Sequence, residues 1–189
     1  MNALIVLKQD HNNVEELFSR FEHLDPGDVT TKRHVADKII EHLSIHAAVE
    51  EQVFYPAVRA ASEEAEDVVL EGLEEHHVVK WTLSELEELP PTDERFDAKM
   101  RVLMESVRHH VEEEETDLFP KVRDALTNEQ LEEMGAAISR AKATAPVRPH
   151  PRQPDTPPLN VLLGLPIAIL DRFVQVGKEA VDHVMKRAS

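Results

Sequence analysis

Two stretches of this chain carry the same chemistry at the same spacing. Residues 46–56 read HAAVEEQVFYP and residues 110–120 read HVEEEETDLFP. His46 and His110, Glu50 and Glu114, Glu51 and Glu115, and Pro56 and Pro120 all match at one offset of 64 residues. A second pair of matches lies upstream, where Asp10-His11 precedes His46 by 35 residues and Glu75-His76 precedes His110 by 34. Imidazole nitrogens and carboxylate oxygens are metal donors, and His and Glu four apart on a helix share one face. A histidine on the preceding antiparallel helix can point at such a pair. The pattern therefore defines two equivalent sets: His11, His46, Glu50 and His76, His110, Glu114.

Two such halves related by a pseudo-twofold bring four imidazoles and two carboxylates together. That set suits a pair of metals, with the glutamates bridging and the histidines terminal. One H-x-x-x-E alone is more often a solvated surface pair, worth about a few tenths of a kcal/mol. The joint pattern falls near apolar stripes, and burying it without a metal would leave each polar group in need of a partner.

The elements that must position these residues read as helices. Residues 2–24 form a first helix, with Leu4, Leu7, His11, Val14, Phe18 and Phe21 at three- and four-residue steps. Asp25-Pro26-Gly27-Asp28 breaks it. A second helix is expected from Thr30 to Ala61, a third from Glu63 to Leu89, and a fourth from Thr92 to Leu126. Thr127 is placed to cap a short fifth helix, with Gln130 completing a capping box. The expected fold is all-α. It is an up-down-up-down four-helix bundle with an internal pseudo-twofold repeat over 1–126, a short fifth helix in 127–145, a Pro-rich linker over 146–158, and a C-terminal amphipathic helix over 159–189. Leu162, Leu165, Ile169, Phe173, Val176, Ala180 and Val184 mark that last helix. It is expected to fold back on the bundle or to pack on a second subunit as a homo-oligomer contact.

The 189 residues carry 37 acidic and 21 basic side chains, a net charge of −16. Such a surface repels phosphate backbones and anionic headgroups, so neither nucleic acid nor a membrane surface is an expected partner. There is no cysteine, which excludes disulfides, thiolate metal sites and iron–sulfur clusters. Residues 1–24 do not read as a signal peptide, and the longest apolar stretch, 159–170, falls short of the ~20 residues a spanning helix needs. The expected location is the cytoplasm.

With these residues in place, the sequence resembles the hemerythrin and HHE cation-binding family over roughly residues 1–125. Asp10-His11, 46–56, Glu75-His76 and 110–120 carry the likeness. The resemblance implies a di-iron site inside the bundle and a role in carrying, storing or sensing dioxygen, or in peroxide, nitric oxide or iron chemistry. The chain departs from the oxygen carriers at two points. Lys80 stands where a second third-helix histidine would be, and the fourth helix has His110-x-x-x-Glu114 where the carriers have His, four residues and Asp. One iron position is thereby left for solvent, an exogenous ligand or another protein group.

Tyr55 is the candidate for that group. It is the only tyrosine, and its repeat partner is Phe119. A phenolate would break the symmetry and favour the ferric state. Tyr55 lies about 140° around an ideal helix from Glu50, so only a distortion near Pro56 would bring it to the metal. The alternative is a core tyrosine with its hydroxyl hydrogen-bonded. Glu51 and Glu115 could orient imidazoles from behind, or be ordinary exposed glutamates. His42 sits one turn before His46. His77 and His109 point about 100° away from their neighbours. His23, His34, His150 and His183 read as solvent-facing.

Imidazoles with carboxylates suit redox-active iron first and manganese second, whereas zinc favours closed tetrahedral sites and magnesium favours oxygen. A ferritin-like site is disfavoured because Glu74-x-x-His77 has no counterpart in the other half. The expected cofactor is two iron ions, with a solvent-derived oxo or hydroxo bridge filling positions that the protein leaves open. Dioxygen, hydrogen peroxide or nitric oxide could bind there. The expected role is removal of peroxide or nitric oxide under stress. A non-catalytic oxygen-binding or sensing protein and an iron store are the alternatives. No Gly-x-Gly-x-x-Gly run is present, so any electron donor is a separate molecule.

Overall fold

The computed structural model describes residues 1–152. The C-terminal helix expected over 159–189, His183 and most of the Pro-rich linker lie outside the described residues. The described chain is all helical. Helix α1 spans Ala3–Glu22, α2 Val29–Val49, α3 Tyr55–Ala61, α4 Glu66–Glu88, α5 Phe96–Glu113, α6 Phe119–Ala125 and α7 Asn128–Lys142.

The starts are set by local chemistry. Asn2 accepts from the Ile5 amide and Asp28 from the Thr31 amide, each at 3.0 Å. Thr127 and Gln130 form a reciprocal capping box at α7. The fourth helix begins at Phe96, not at Thr92. Pro90 accepts from the Asp93 amide at 2.9 Å, and Asp93 accepts from the Arg95 amide, so these residues spend their hydrogen bonds on a turn.

The two long ligand-bearing helices are not continuous. Five residues of π-helix, Glu50–Phe54, join α2 to α3, and Glu114–Leu118 join α5 to α6. Each π turn begins at the repeated glutamate and ends just before an aromatic-proline pair. Proline has no N–H and clashes with the carbonyl four residues back. Widening the preceding turn relieves that clash without ending the rod.

Side-chain pairs give the directions. Lys8 meets Glu115 while Arg108 meets Glu15 and Glu22, so α1 runs against α5. Arg33, at the start of α2, donates to the Leu86 carbonyl at the end of α4 at 2.9 Å. Glu85 pairs with Lys99 and Glu75 with His110, so α4 runs against α5.

The core divides into two apolar clusters. One holds Leu7, Val49, Phe54, Val69, Leu118, Phe119 and Met134, and the other holds Val14, Phe18, Leu43, Val79, Leu83, Phe96 and Val107. Each rod crosses from one cluster to the other at its histidine. His11 falls between Leu7 and Val14, His46 between Leu43 and Val49, His76 between Val69 and Val79, and His110 between Val107 and Leu118. The polar layer is therefore sandwiched between two dry layers. Helix α7 closes one end against α1, where Gly135 approaches so tightly that a Cβ there would lie 2.3 Å from the Met1 carbonyl oxygen.

Candidate metal centre

His11, His46, His76 and His110 are each at most 6% exposed, Glu50 is fully buried and Glu114 is 2% exposed. Their donor atoms form two overlapping groups: His11, His46, Glu50 and Glu114, and Glu50, His76 and His110. Atoms within each group all lie within 4.8 Å of one another. Glu50 Oε2 is 3.1 Å from His46 Nε2 and 3.3 Å from His76 Nε2, so it stands between the halves. Glu114 Oε2 lies 3.3 Å from His11 Nε2, across the bundle. The grouping thus differs from the two sets read along the chain. Glu114 joins the histidines of the first repeat, and Glu50 is shared. The reason is that α1 runs against α5, which carries Glu114 to His11.

Three of the four imidazoles are held from behind by carboxylates. His11 Nδ1 is 2.9 Å from Glu115, His76 Nδ1 3.1 Å from Glu51, and His110 Nδ1 2.7 Å from Glu75. His46 Nδ1 faces Asp10 at 3.6 Å. A carboxylate at Nδ1 favours the Nδ1–H tautomer and leaves Nε2 as the free donor. The pattern is reciprocal. The acid preceding each first histidine serves the other histidine of its own half, and the acid following each buried glutamate serves a histidine of the opposite half. Three of these acids also meet a lysine: Glu115 with Lys8, Glu51 with Lys80, and Asp10 with Lys142 of α7.

The sequence marks Glu51 and Glu115 as candidates to orient imidazoles, but not Asp10, Glu75 or these lysines. The repeat at Asp10-His11 and Glu75-His76 was the available signal for the two acids. Lys142 had none, because only packing brings α7 to Asp10.

Tyr55 joins the cluster. It is 1% exposed, its hydroxyl lies 3.5 Å from His110 Nε2, and its ring lies against His76 with centroids 5.5 Å apart. The π turn supplies the distortion that an ideal helix lacks. It bonds residues five apart, and the Tyr55 amide donates to the Glu50 carbonyl. Phe119 makes the equivalent stack on His11, with centroids 6.0 Å apart. Gly72 leaves room for the phenol: a Cβ there would lie 3.0 Å from the Tyr55 oxygen.

The remaining histidines stay outside the cluster. His42 is half-buried, His34 and His150 are exposed, His23 bonds the Ser19 carbonyl, and His77 accepts from the Trp81 indole. His109 is exposed beside Glu113.

Both oxygens of Glu50 and of Glu114, and the Nε2 atoms of His11 and His46, are buried without a hydrogen-bond partner. Such groups are costly in a dry layer, and a cation among them would satisfy them all. Without one, protons must compensate. Burial, then the charge of Glu114, pushes the Glu50 carboxyl well above its ordinary range. Burial pushes Glu114 the same way, but His11 and the other imidazoles overcome it and hold Glu114 down at about 2. Burial would lower His11, yet Glu114 raises it to about 9. Burial dominates at His46 and lowers it to about 4. It also lifts the Tyr55 phenol well above its usual value.

On the histidine side lies a cavity of about 20 Å³, lined by the four imidazoles with Val14, Leu43, Ala47, Val79, Val107 and Val111. It has room for roughly one water-sized molecule.

Residues 2–122 match the model of the hemerythrin HHE cation-binding domain family. An uncharacterized hemerythrin-like protein of Schizosaccharomyces pombe is 26% identical over 166 residues, covering 87% of this chain and 81% of that one. A DNA nickase of Nostoc sp. is 31% identical over 144 residues, covering 76% of this chain but 40% of the nickase. A crystal structure of a hemerythrin HHE cation-binding domain-containing protein from Mycobacterium kansasii shares the fold, with a TM-score of 0.65 and 24% identity. The match covers 92% of this chain and 99% of that one. No helix among the described residues is long and apolar enough to cross a membrane.

Proposed function

The chain belongs to the hemerythrin HHE cation-binding domain family, and on that premise we propose that it is a non-haem di-iron protein that removes peroxide or nitric oxide. His11, His46, Glu50 and Glu114 would hold one iron. Glu50, His76 and His110 would hold the other, with Tyr55 as the added ligand. The observation that carries this reading is the sharing of Glu50 between both donor groups. A buried carboxylate common to two sets of imidazoles has little use as a structural group and is well placed as a bridge. The antiparallel pairings of the rods support the up-down-up-down arrangement that places it there.

The donor set fits the metal. Four imidazoles and two carboxylates suit iron, and the partnerless oxygens call for a cation. Bound irons supply electron exchange with dioxygen, peroxide or nitric oxide. The protein supplies the rest. Asp10, Glu51, Glu75 and Glu115 orient the imidazoles and fix their tautomers. The valines, Leu43 and Ala47 around the cavity admit a small neutral molecule and disfavour ions. Burial favours the protonated form of the Tyr55 phenol, which sits beside His110 Nε2, and a bound cation would take the place of that proton. Peroxide disproportionation yields dioxygen and water without an outside reductant. Nitric oxide removal needs a separate electron donor.

The test is air-free ferrous reconstitution of metal-free protein, followed by metal analysis, a visible spectrum and oxygen evolution from peroxide. Two irons per chain are expected, falling in His46→Ala and His110→Ala because binding is linked to folding. Zinc alone, or no metal after reconstitution, would leave a helical interaction protein as the better account.

A further inference from the structure

The pseudo-twofold is broken on the outer surface of one half. Glu75, on α4, and His109 and Glu113, on α5, each present one donor atom, and these atoms all lie within 4.8 Å of one another. His109 Nε2 is 3.5 Å from Glu113 Oε1. Glu75 and Glu113 also line a cavity of about 10 Å³ whose other walls include Tyr55, Gly72, His110 and Glu114. Glu114 is 2% exposed, and neither of its oxygens has a hydrogen-bond partner. A partly exposed cluster of three donors therefore adjoins a cavity bordered by an unsatisfied buried carboxylate.

The other half lacks these donors. At the repeat offset of 64, Ile45 replaces His109 and Val49 replaces Glu113. Val49 is fully buried, and the acid equivalent to Glu75, Asp10, is bound by Lys142 of α7. One half of the bundle has apolar residues at these positions and a helix packed on its acid. The other carries an imidazole and two carboxylates beside a cavity that reaches the centre.

We propose that Glu75, His109 and Glu113 form a divalent-cation site that takes ferrous or manganous ion from solvent and passes it through the adjoining cavity to Glu114 and His110. One imidazole with two carboxylates suits these intermediate cations, and three protein donors leave positions for water, so the ion can move on. The cavity is close to the ~10–15 Å³ that a single water-sized species needs. Two carboxylates at its mouth raise the local cation concentration. The delivery role rests on the central site holding metal; the surface site does not.

The test uses metal-free, full-length protein and His109→Ala/Glu113→Gln, whose residues lie outside the central cluster. Air-free ferrous uptake is followed in time, and final iron content is measured. Delivery through this site predicts unchanged final content with uptake slowed at least roughly tenfold. Equal rates would overturn delivery, as would a wild-type chain that takes up no iron. The surface site is then read separately by electron paramagnetic resonance of added manganous ion in a His46→Ala/Glu50→Gln background. Binding that persists in that background and is lost on adding His109→Ala supports the site. Binding that His109→Ala leaves unchanged, or no binding at all, refutes it.

Discussion

The Tyr55 amide donates to the Glu50 carbonyl, so a π turn joins two residues that an α-helix would hold about 140° apart. Phe119 and Glu114 repeat the turn in the other half. The two halves thus share a backbone and differ here by one phenolic oxygen, which Gly72 accommodates and which approaches His110.

Tyr55→Phe would make that pair of positions alike. The iron-loaded variant is expected to retain its metal while losing a broad visible phenolate-to-iron band. Gly72→Ala should weaken or shift the same band, because the phenol must move by a few tenths of an ångström. Identical spectra in all three proteins would show that Tyr55 is a hydrogen-bonded core residue.

Asp10 links α7 to the centre, facing His46 on one side and Lys142 on the other. Asp10→Asn should weaken metal binding by roughly 10–100-fold, the usual cost of losing a partner behind a ligating histidine. Lys142→Met, which keeps the apolar stem and removes the charge, should move affinity in the same direction by less. Competition against a chelator measures both.

The metal-free protein should be most stable near neutral pH. His46 falls to about 4 when folded, from 6.5, so between those values the unfolded chain binds more protons and stability drops as pH falls. His11 rises to about 9, so its contribution is complete below 6.5 and is lost as pH climbs through about 9. Metal competes with protons for the same nitrogens, so the stabilisation it adds should grow with pH. Thermal midpoints across pH, with and without ferrous ion, check both slopes.

Leu83 lies in the dry layer away from the centre and is fully buried. Leu83→Ala should cost about 2–5 kcal/mol in denaturant unfolding while leaving iron stoichiometry unchanged. A loss of iron in this variant would mean that the two layers cannot be perturbed separately.

The sequence alone determined the repeat, the helical class and the capping of α7, and it singled out six His and Glu positions as candidates. These are local properties: a 3.6-residue period, a capping side chain and a fixed offset between like residues are visible without knowing what packs where. Pro56 announced a disturbance but not its form. A proline excludes one hydrogen bond and leaves the choice between a kink, a stop and a widened turn to the surrounding core. Only the tertiary structure chose the π turn, and with it the position of Tyr55. Packing also decided that Glu114 faces His11, that Glu50 lies between both sets, and that Lys142 reaches Asp10. Those relationships join residues on different helices, whose meeting depends on the direction of each rod and on how closely α7 can approach α1 at Gly135.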